Sequence, residues 1–385
     1  MSQIRIGIAG LGIVGAETAR QIISSQDILS RRAGKNLKII AVSARHKAKD
    51  RGFPLDDIVF YTDPLKLLDH DDIDVIIELI GGEGGVALSL CQKALQAGKH
   101  IITANKAMIA HHGFSLSKLA EDNNVTLQFE AAVAGGIPAI KILREGLAGN
   151  QIETVAGILN GTCNYILSEM TSSNSAFLDV LKEAQHKGFA EADPSFDIDG
   201  VDAAHKLAIL STIAFEQKIE FSSLSISGIR NVSDIDINYA AKLGYCLKLL
   251  GIAQRGGPAE VTMALISDDE QLALVNGALN AVSYSGAPVQ SSICIGPGAG
   301  AGPTSSAVLA DLIDISRGLA NYAYGSPVDL LSEQKLASQT SKEQCYYLRI
   351  AVTDKPGVLS QISAVLKDHG LSIASMIQNG QSEDG

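Results

Sequence analysis

The opening of the chain leaves few choices of fold. Ile4–Ala9 is rich in β-branched residues and reads as a buried strand, Gly10-Leu11-Gly12-Ile13-Val14-Gly15 follows, and Ala16–Ser24 reads as a helix. Strand, G-x-G-x-x-G and helix, in that order, form a dinucleotide-phosphate turn. Gly10 makes the tight turn, Gly12 lets backbone approach a pyrophosphate, and Gly15 lets helix and strand pack closely. The helix N-terminus at Ile13 and Val14 offers unpaired N–H groups and a partial positive charge to phosphate.

Strands and helices keep alternating. Leu37–Ala44, Val75–Leu79, His100–Thr103 and Val125–Phe129 read as strands, with helices near Val86–Ala97 and Phe114–Asn123. That βαβα rhythm specifies an α/β fold with a doubly wound parallel sheet, whose ligands sit beyond the carboxyl ends of the strands. Glu78-Leu79-Ile80-Gly81-Gly82 and Thr103-Ala104-Asn105-Lys106 occupy such ends. Lys106 is there a candidate functional group, against the alternative of a solvated surface lysine. At the tip of the second strand no acid waits for a ribose 2′-hydroxyl. Arg45, His46, Lys47, Lys49 and Arg51 follow instead. Arg45 suits a 2′-phosphate, so the reading favours NADP, with NAD as the alternative and a solvated basic loop as the competing explanation.

The chain has 385 residues, enough for about two to three domains. Its 31 Lys and Arg against 42 Asp and Glu give a net charge of −11, with aromatics at 5% and no Trp. Nucleic acid and anionic membrane surfaces want a basic face, so neither is expected as the main partner. There is no apolar run of membrane-spanning length, and the N-terminus enters a strand without a signal-peptide pattern. Cys91, Cys163, Cys246, Cys294 and Cys345 are odd in number, scattered and without a C-x-x-C pair. Reduced thiols and a cytoplasmic location follow as expectations.

Near Glu130 the composition shifts to small residues, Ala131-Ala132-Val133-Ala134-Gly135-Gly136-Ile137-Pro138. Such a loop is an interdomain hinge, or a place where exposed carbonyls join Glu130 around a hard cation. Glu191, Asp193, Asp197, Asp199 and Asp202 then fall close together, ahead of a largely apolar helix after Gly200. Asp202 and Lys206 are i and i+4 on that helix and share a face. Charges on an apolar helix are partly buried and need partners, so this is the leading candidate for chemistry. The acids suit a substrate ammonium, and the lysine suits proton transfer. Gly298-Ala299-Gly300 precedes another helix, Ser305–Ala320, and offers a second cofactor contact at Gly300.

Taken together, Gly10–Gly15, Thr103–Ala107, Gly135–Pro138, Gly157–Leu167, Glu191-Ala192-Asp193-Pro194, Asp199–Lys206 and Gly298–Gly300 resemble homoserine dehydrogenase, in family order over roughly residues 4–320. The resemblance implies reversible, NAD(P)-dependent interconversion of L-homoserine and L-aspartate 4-semialdehyde, on the way to threonine and methionine. It implies a Rossmann domain over residues 1–135 and an α+β substrate-binding, catalytic and dimerisation domain over 136–330. It makes Lys206 the proton donor and acceptor, with Lys106 and Asp202 in the same site, Glu191 on homoserine, and Thr162 lining the pocket. It places Thr103, Lys106 and Gly300 at the cofactor, and a structural sodium on Glu130 with the carbonyls of Val133, Gly135 and Ile137. It also implies a homodimer or a dimer-based oligomer. With the two lysines side by side, each is expected to depress the other's pKa.

Beyond a polar linker, Ser332–Lys342, residues 345–385 resemble the start of an ACT regulatory domain. Tyr346–Val352 reads as a strand, Val358 to His369 as an amphipathic helix and Leu371–Ile377 as a second strand. This partial βαβ tail covers only the first part of the family's βαββαβ unit. Threonine feedback is therefore not expected of it, and its open sheet edge fits a truncated unit, a disordered remnant or pairing with another subunit. Two other functions compete: a different NAD(P)-dependent reductase of an amino-acid aldehyde, and a non-catalytic amino-acid sensor. Neither needs Glu191, Asp202 and both lysines together.

Overall fold

The computed structural model describes residues 2–319, 322–333, 345–353 and 355–378. In the N-terminal lobe β1 (Gln3–Ala9) leads through the glycine turn into α1 (Ile13–Ser24). A further helix, α2 (Gln26–Ala33), follows before β2 (Asn36–Ser43), which is why the first crossover is long. Then come β3 (Val59–Tyr61), β4 (Val75–Glu78), α3 (Gly85–Gln96), β5 (His100–Thr103), α4 (Lys106–Asp122) and β6 (Leu127–Gln128). The sheet order is β3-β2-β1-β4-β5-β6, with every pair parallel. The strand order reverses between β1 and β4, and the glycine turn opens at that switch point, where such sheets bind ligands.

One helix starts earlier than its periodicity suggests. α4 begins at Lys106 rather than near Phe114. The Asn105 side chain accepts the Met108 N–H at 3.2 Å, an N-cap that nucleates the helix regardless of the polar His111-His112 that interrupts the apolar stripe.

The second lobe contains α5 (Ala139–Lys141), β7 (Gln151–Ile158), α6 (Gly161–Ser173), α7 (Phe177–His186), α8 (Ser195–Ile198), α9 (Val201–Phe215), β8 (Gln217–Lys218), β9 (Ser225–Ile226), α10 (Asp234–Lys242), β10 (Tyr245–Gln254), β11 (Ala259–Ser267), β12 (Leu279–Ala287) and β13 (Gln290–Pro297). Its sheet runs β13-β12-β7-β10-β11-β9 and is antiparallel except where β9 joins β11. α9 packs on this sheet on one side and on α4 on the other. Every residue from Asp202 to Phe215 is buried, so α9 is the central helix of the molecule and not a half-exposed one. A helix that is apolar all round is one that is covered all round.

α11 (Ala301–Arg317) lies in the later half of the chain yet crosses back. Its Ala307, Val308, Leu312 and Ile315 join one apolar cluster with Ile8, Leu11, Ala19 and Ile22 of the first lobe. β14 (Ser332–Glu333) pairs with β8. In the tail, α12 (Val358–Asp368) forms as expected but buries none of its residues. The two strands expected at Tyr346–Val352 and Leu371–Ile377 do not form ladders with any described residue. An alternating pattern supplies a face for a sheet, but a strand needs a partner edge, and these runs do not pair with each other. Residues 334–342 of the expected linker and Ala320 lie outside the described residues.

Candidate active site

The glycine turn has the shape the sequence requires. Gly10 has φ +94°, and a Cβ on it would lie 2.6 Å from the Leu79 carbonyl oxygen. A Cβ on Gly15 would lie 1.9 Å from the Gly10 oxygen, whereas one on Gly12 would meet nothing within 4 Å. Gly10 and Gly15 therefore let segments pack, while Gly12 faces open space where a phosphate fits. The first bond of α1 runs from Ala16 N–H to Gly12 O at 3.0 Å. The amides of Ile13, Val14 and Gly15 ahead of it have no intrahelical acceptor, and no acid sits in the first turn to neutralise the dipole. Arg45 stands exposed two residues past β2.

Thr103 does not reach this space with its side chain. Its hydroxyl is buried and donates to Glu78 at 2.6 Å, and it accepts the Asn105 N–H at 3.0 Å. Glu78 in turn accepts the amides of Ile80 and Gly81. Thr103 thus shapes the loops at the ends of β4 and β5, leaving only its backbone for a cofactor. On the far side Gly300 caps α11 at φ +113°, again with no acid in the first turn.

The two lysines meet at one carboxylate. Lys106 Nζ lies 2.9 Å from Asp202 Oδ1, and Lys206 Nζ donates to Asp202 Oδ2 at 2.7 Å. Lys206 also donates to the Leu159 carbonyl at 2.7 Å, so one of its three N–H groups is left over. Asp202 and Lys206 are only 4% and 7% exposed, which makes their pairing obligatory. Lys106 occupies the first turn of α4, where the helix dipole disfavours a cation, and a specific partner has to offset that.

The electrostatics correct one expectation. Burial pulls the Lys106 ammonium down, but Asp202, with Asp197 and Glu191 behind it, outweighs that and raises its pKa. The shared carboxylate between the lysines, not their mutual repulsion, decides the sign. Asp202 is the mirror image: burial favours its protonation, yet the two lysines hold it well below the usual carboxylate range.

Asn160 had no role assigned from the sequence, and it organises the acids. Its Nδ2 donates to Asp202 at 2.9 Å and to Asp197 at 2.8 Å, while its Oδ1 caps α6 by accepting the Cys163 N–H at 2.8 Å. The sequence signal was the Asn directly ahead of a helix, an N-cap pattern. Asp197 is pushed up by burial and by Asp202. Asp199 turns outward to Arg230, and Asp193 caps the Ser195 amide, so those two of the five acids are spent on the loop. Glu191 is exposed and lies within electrostatic reach of Lys106. Thr162 sits at the start of α6 and donates to the Phe189 carbonyl at 2.8 Å. Cys163 is buried and pushed up by burial, unsuited to act as a nucleophile.

Glu130 lies at the seam of the lobes, 2% exposed. Its carboxylate accepts the amides of Ile140 at 3.0 Å and Lys141 at 2.8 Å. Burial and Asp311 push its pKa up to about 8, against those two hydrogen bonds. Val133 and Gly135 are buried beside it, and the Ile137 carbonyl accepts the Ala139 N–H at 2.7 Å. A Cβ on Gly135 would lie 2.8 Å from Gly298 O, so the Glu130 loop and the Gly298–Gly300 loop touch. Among the described residues no three His, Cys, Asp or Glu gather into a metal cluster, and no helix is long and apolar enough to cross a membrane.

Comparison with known proteins identifies the family. The homoserine dehydrogenase family model matches residues 138–313, the homoserine dehydrogenase NAD-binding domain residues 10–130, and the ACT domain residues 346–383. A homoserine dehydrogenase of Neisseria gonorrhoeae is 44% identical over 99% of this chain and 89% of its own. The crystal structure of one from Thiobacillus denitrificans superposes with a TM-score of 0.90 at 40% identity, covering 98% of this chain and 89% of that one. A hyperthermophilic archaeal homoserine dehydrogenase, solved in complex with NADPH, gives a TM-score of 0.71 at 27% identity over 83% of this chain and 99% of that one. With a nicotinamide-binding lobe, a lysine-bearing cleft and full-length relatives, this chain belongs to the homoserine dehydrogenase family.

Proposed function

We propose that this chain interconverts L-homoserine and L-aspartate 4-semialdehyde with a nicotinamide cofactor, and that the Lys106–Asp202–Lys206 triad performs the proton and charge handling. The observation that carries the reading is the single buried carboxylate held by two lysines from two lobes. The cofactor, when bound, accepts or gives the hydride; the protein orients and manages charge. The free amides after Gly12 would hold its phosphates, and Gly300 would offer a second contact to it.

In the reduction direction Lys206 gives a proton to the aldehyde oxygen as that oxygen gains negative charge. In oxidation the same proton transfer runs in reverse, from the hydroxyl to Lys206. Lys106, kept cationic by Asp202, stabilises the developing oxyanion. Asp202 orients both ammonium groups. Asp197 and Glu191 form the acidic wall facing the substrate ammonium, and Thr162 lines it. Arg45 supports NADP over NAD, through a 2′-phosphate. A sodium ion on Glu130 with the carbonyls of Val133, Gly135 and Ile137 is supported by the raised pKa of that buried carboxylate, which one positive charge would relieve. A homodimer is supported by the exposed Leu274, Leu279 and Ile295 around the second sheet, and sedimentation checks it.

The test is homoserine oxidation followed at the nicotinamide absorbance, with NADP and NAD in parallel. Homoserine turnover well above that of other amino alcohols is expected. Arg45→Ala should raise the NADP KM by about tenfold and leave NAD nearly unchanged, a loss of about 1.4 kcal/mol. Ligand binding without turnover would instead support a sensor.

A further inference from the structure

Next to the lysines lies a second contact between the same two helices. His111 is one and a half turns past Lys106 on α4, and His205 precedes Lys206 on α9. Their Nε2 atoms are 3.2 Å apart. His205 is 4% exposed and stacks on Phe221, ring centroids 4.4 Å apart, with the tilted Phe196 ring at 5.6 Å. Its Nδ1 is buried and has no partner. His111 is partly exposed, its Nδ1 3.9 Å from Glu83 in the glycine-rich loop after β4.

We propose that His111 and His205 are a positioning pair, a hydrogen bond that fixes the distance between the two lysine-bearing helices and so holds both lysines on Asp202. This rests on the dehydrogenase reading of the site.

The chemistry fixes the direction of the bond. Burial, with His111 and Lys106, pulls His205 down to about 4, so its ring is neutral at neutral pH. One of its nitrogens then carries the proton. An orphaned buried donor is rarer than an orphaned acceptor, so the unpartnered Nδ1 is the bare nitrogen. His205 Nε2–H therefore donates to His111 Nε2, and the proton on His111 Nδ1 faces Glu83. The charged groups around the pair are Glu83 from the loop after β4, Lys106 and His112 from α4, and Asp202 and Lys206 from α9. None of these competes for the shared bond. The pair links the loop at the end of β4, where a cofactor binds, to the residue beside Lys206.

The test is a double-mutant cycle on His111→Ala and His205→Ala, with kcat and both KM values measured. Each single change should lower kcat by about fivefold or more, and the double change should do no worse than the more damaging single, because both remove one bond. Cofactor KM should stay within about twofold, and His205→Gln, which keeps a donor near the Nε2 position, should regain part of the loss. Fully additive losses, or unchanged kcat, would overturn the pairing role. Imidazole resonances of the full wild-type chain give a readout that needs no turnover. A shielded His205 ring titrating far below the ordinary imidazole range, deshielded when His111 is replaced, is expected. A His205 that titrates near 6.5 would overturn the proposal, whereas absent homoserine turnover with the pair intact would overturn the dehydrogenase reading instead.

Discussion

Asp202 and Glu130 are both buried carboxylates at the junction of the lobes, and they take opposite charge states. Asp202 faces two ammonium groups and the Asn160 amide, so it stays ionised despite burial. Glu130 faces two backbone amides and another carboxylate, Asp311, whose oxygen accepts the Glu130 N–H at 2.9 Å. Lys141 is nearby but is engaged by Asp314 and, at 3.5 Å, by Asp311. Glu130 therefore holds its proton well above the usual range. Burial depth is alike in the two places; the sign and number of neighbouring charges differ. The first arrangement suits the proton transfer proposed above, and the second the proposed cation.

The largest effect should come from removing the charge of the first site. Asp202→Asn takes the shared counter-ion from buried Lys206 and half-buried Lys106, and kcat should fall by about 10³-fold, with cofactor binding much less affected. A drop under about tenfold would break the contrast. Lys206→Ala should match it, since a lost proton carrier costs about 10²–10⁴-fold. Asn160→Ala sharpens the comparison by removing the clamp but no charge. It should lower kcat by about 10–100-fold and the melting free energy by about 1 kcal/mol through the lost N-cap. Glu191→Ala should raise the homoserine KM by about tenfold at nearly constant kcat, as lost uniform binding does; an unchanged KM would remove it from the substrate wall.

The smallest effect concerns Glu130 and is read as a pH slope. An acid whose folded pKa is raised keeps its proton while the unfolded chain has already lost it. Stability therefore falls as pH rises from the ordinary carboxylate range toward about 8, and is flat above. The decline should shrink in Glu130→Gln, with Asp311, itself raised by burial, supplying the remaining slope. Sodium chloride should restore stability at pH 8.5 more than at pH 6, by comparison with choline chloride at equal ionic strength. Equal gains at both pH values would argue against the cation site.

The parts of this molecule legible in the chain are those set by short spacings. Gly10, Gly12 and Gly15 announced their turn because backbone conformation and close approach are local demands. Asp202 and Lys206 announced a shared face because they lie one helical turn apart. Apolar periodicity marks α4 but not its start, which the side-chain cap at Asn105 sets at Lys106. The tail shows the limit of pattern: its alternating runs have the composition of strands but pair with no edge among the described residues.

What only the tertiary structure decided is which charges meet. Lys106 comes from the cofactor lobe and reaches Asp202 across the cleft, so no spacing along the chain could show that one carboxylate serves both lysines or that Lys106 is raised rather than depressed. Asn160 likewise became an organiser of acids only when α6 was set against α8 and α9. Coulomb energy depends on distance through space in a medium that the fold itself dries out, and that distance is fixed by packing between elements far apart in sequence.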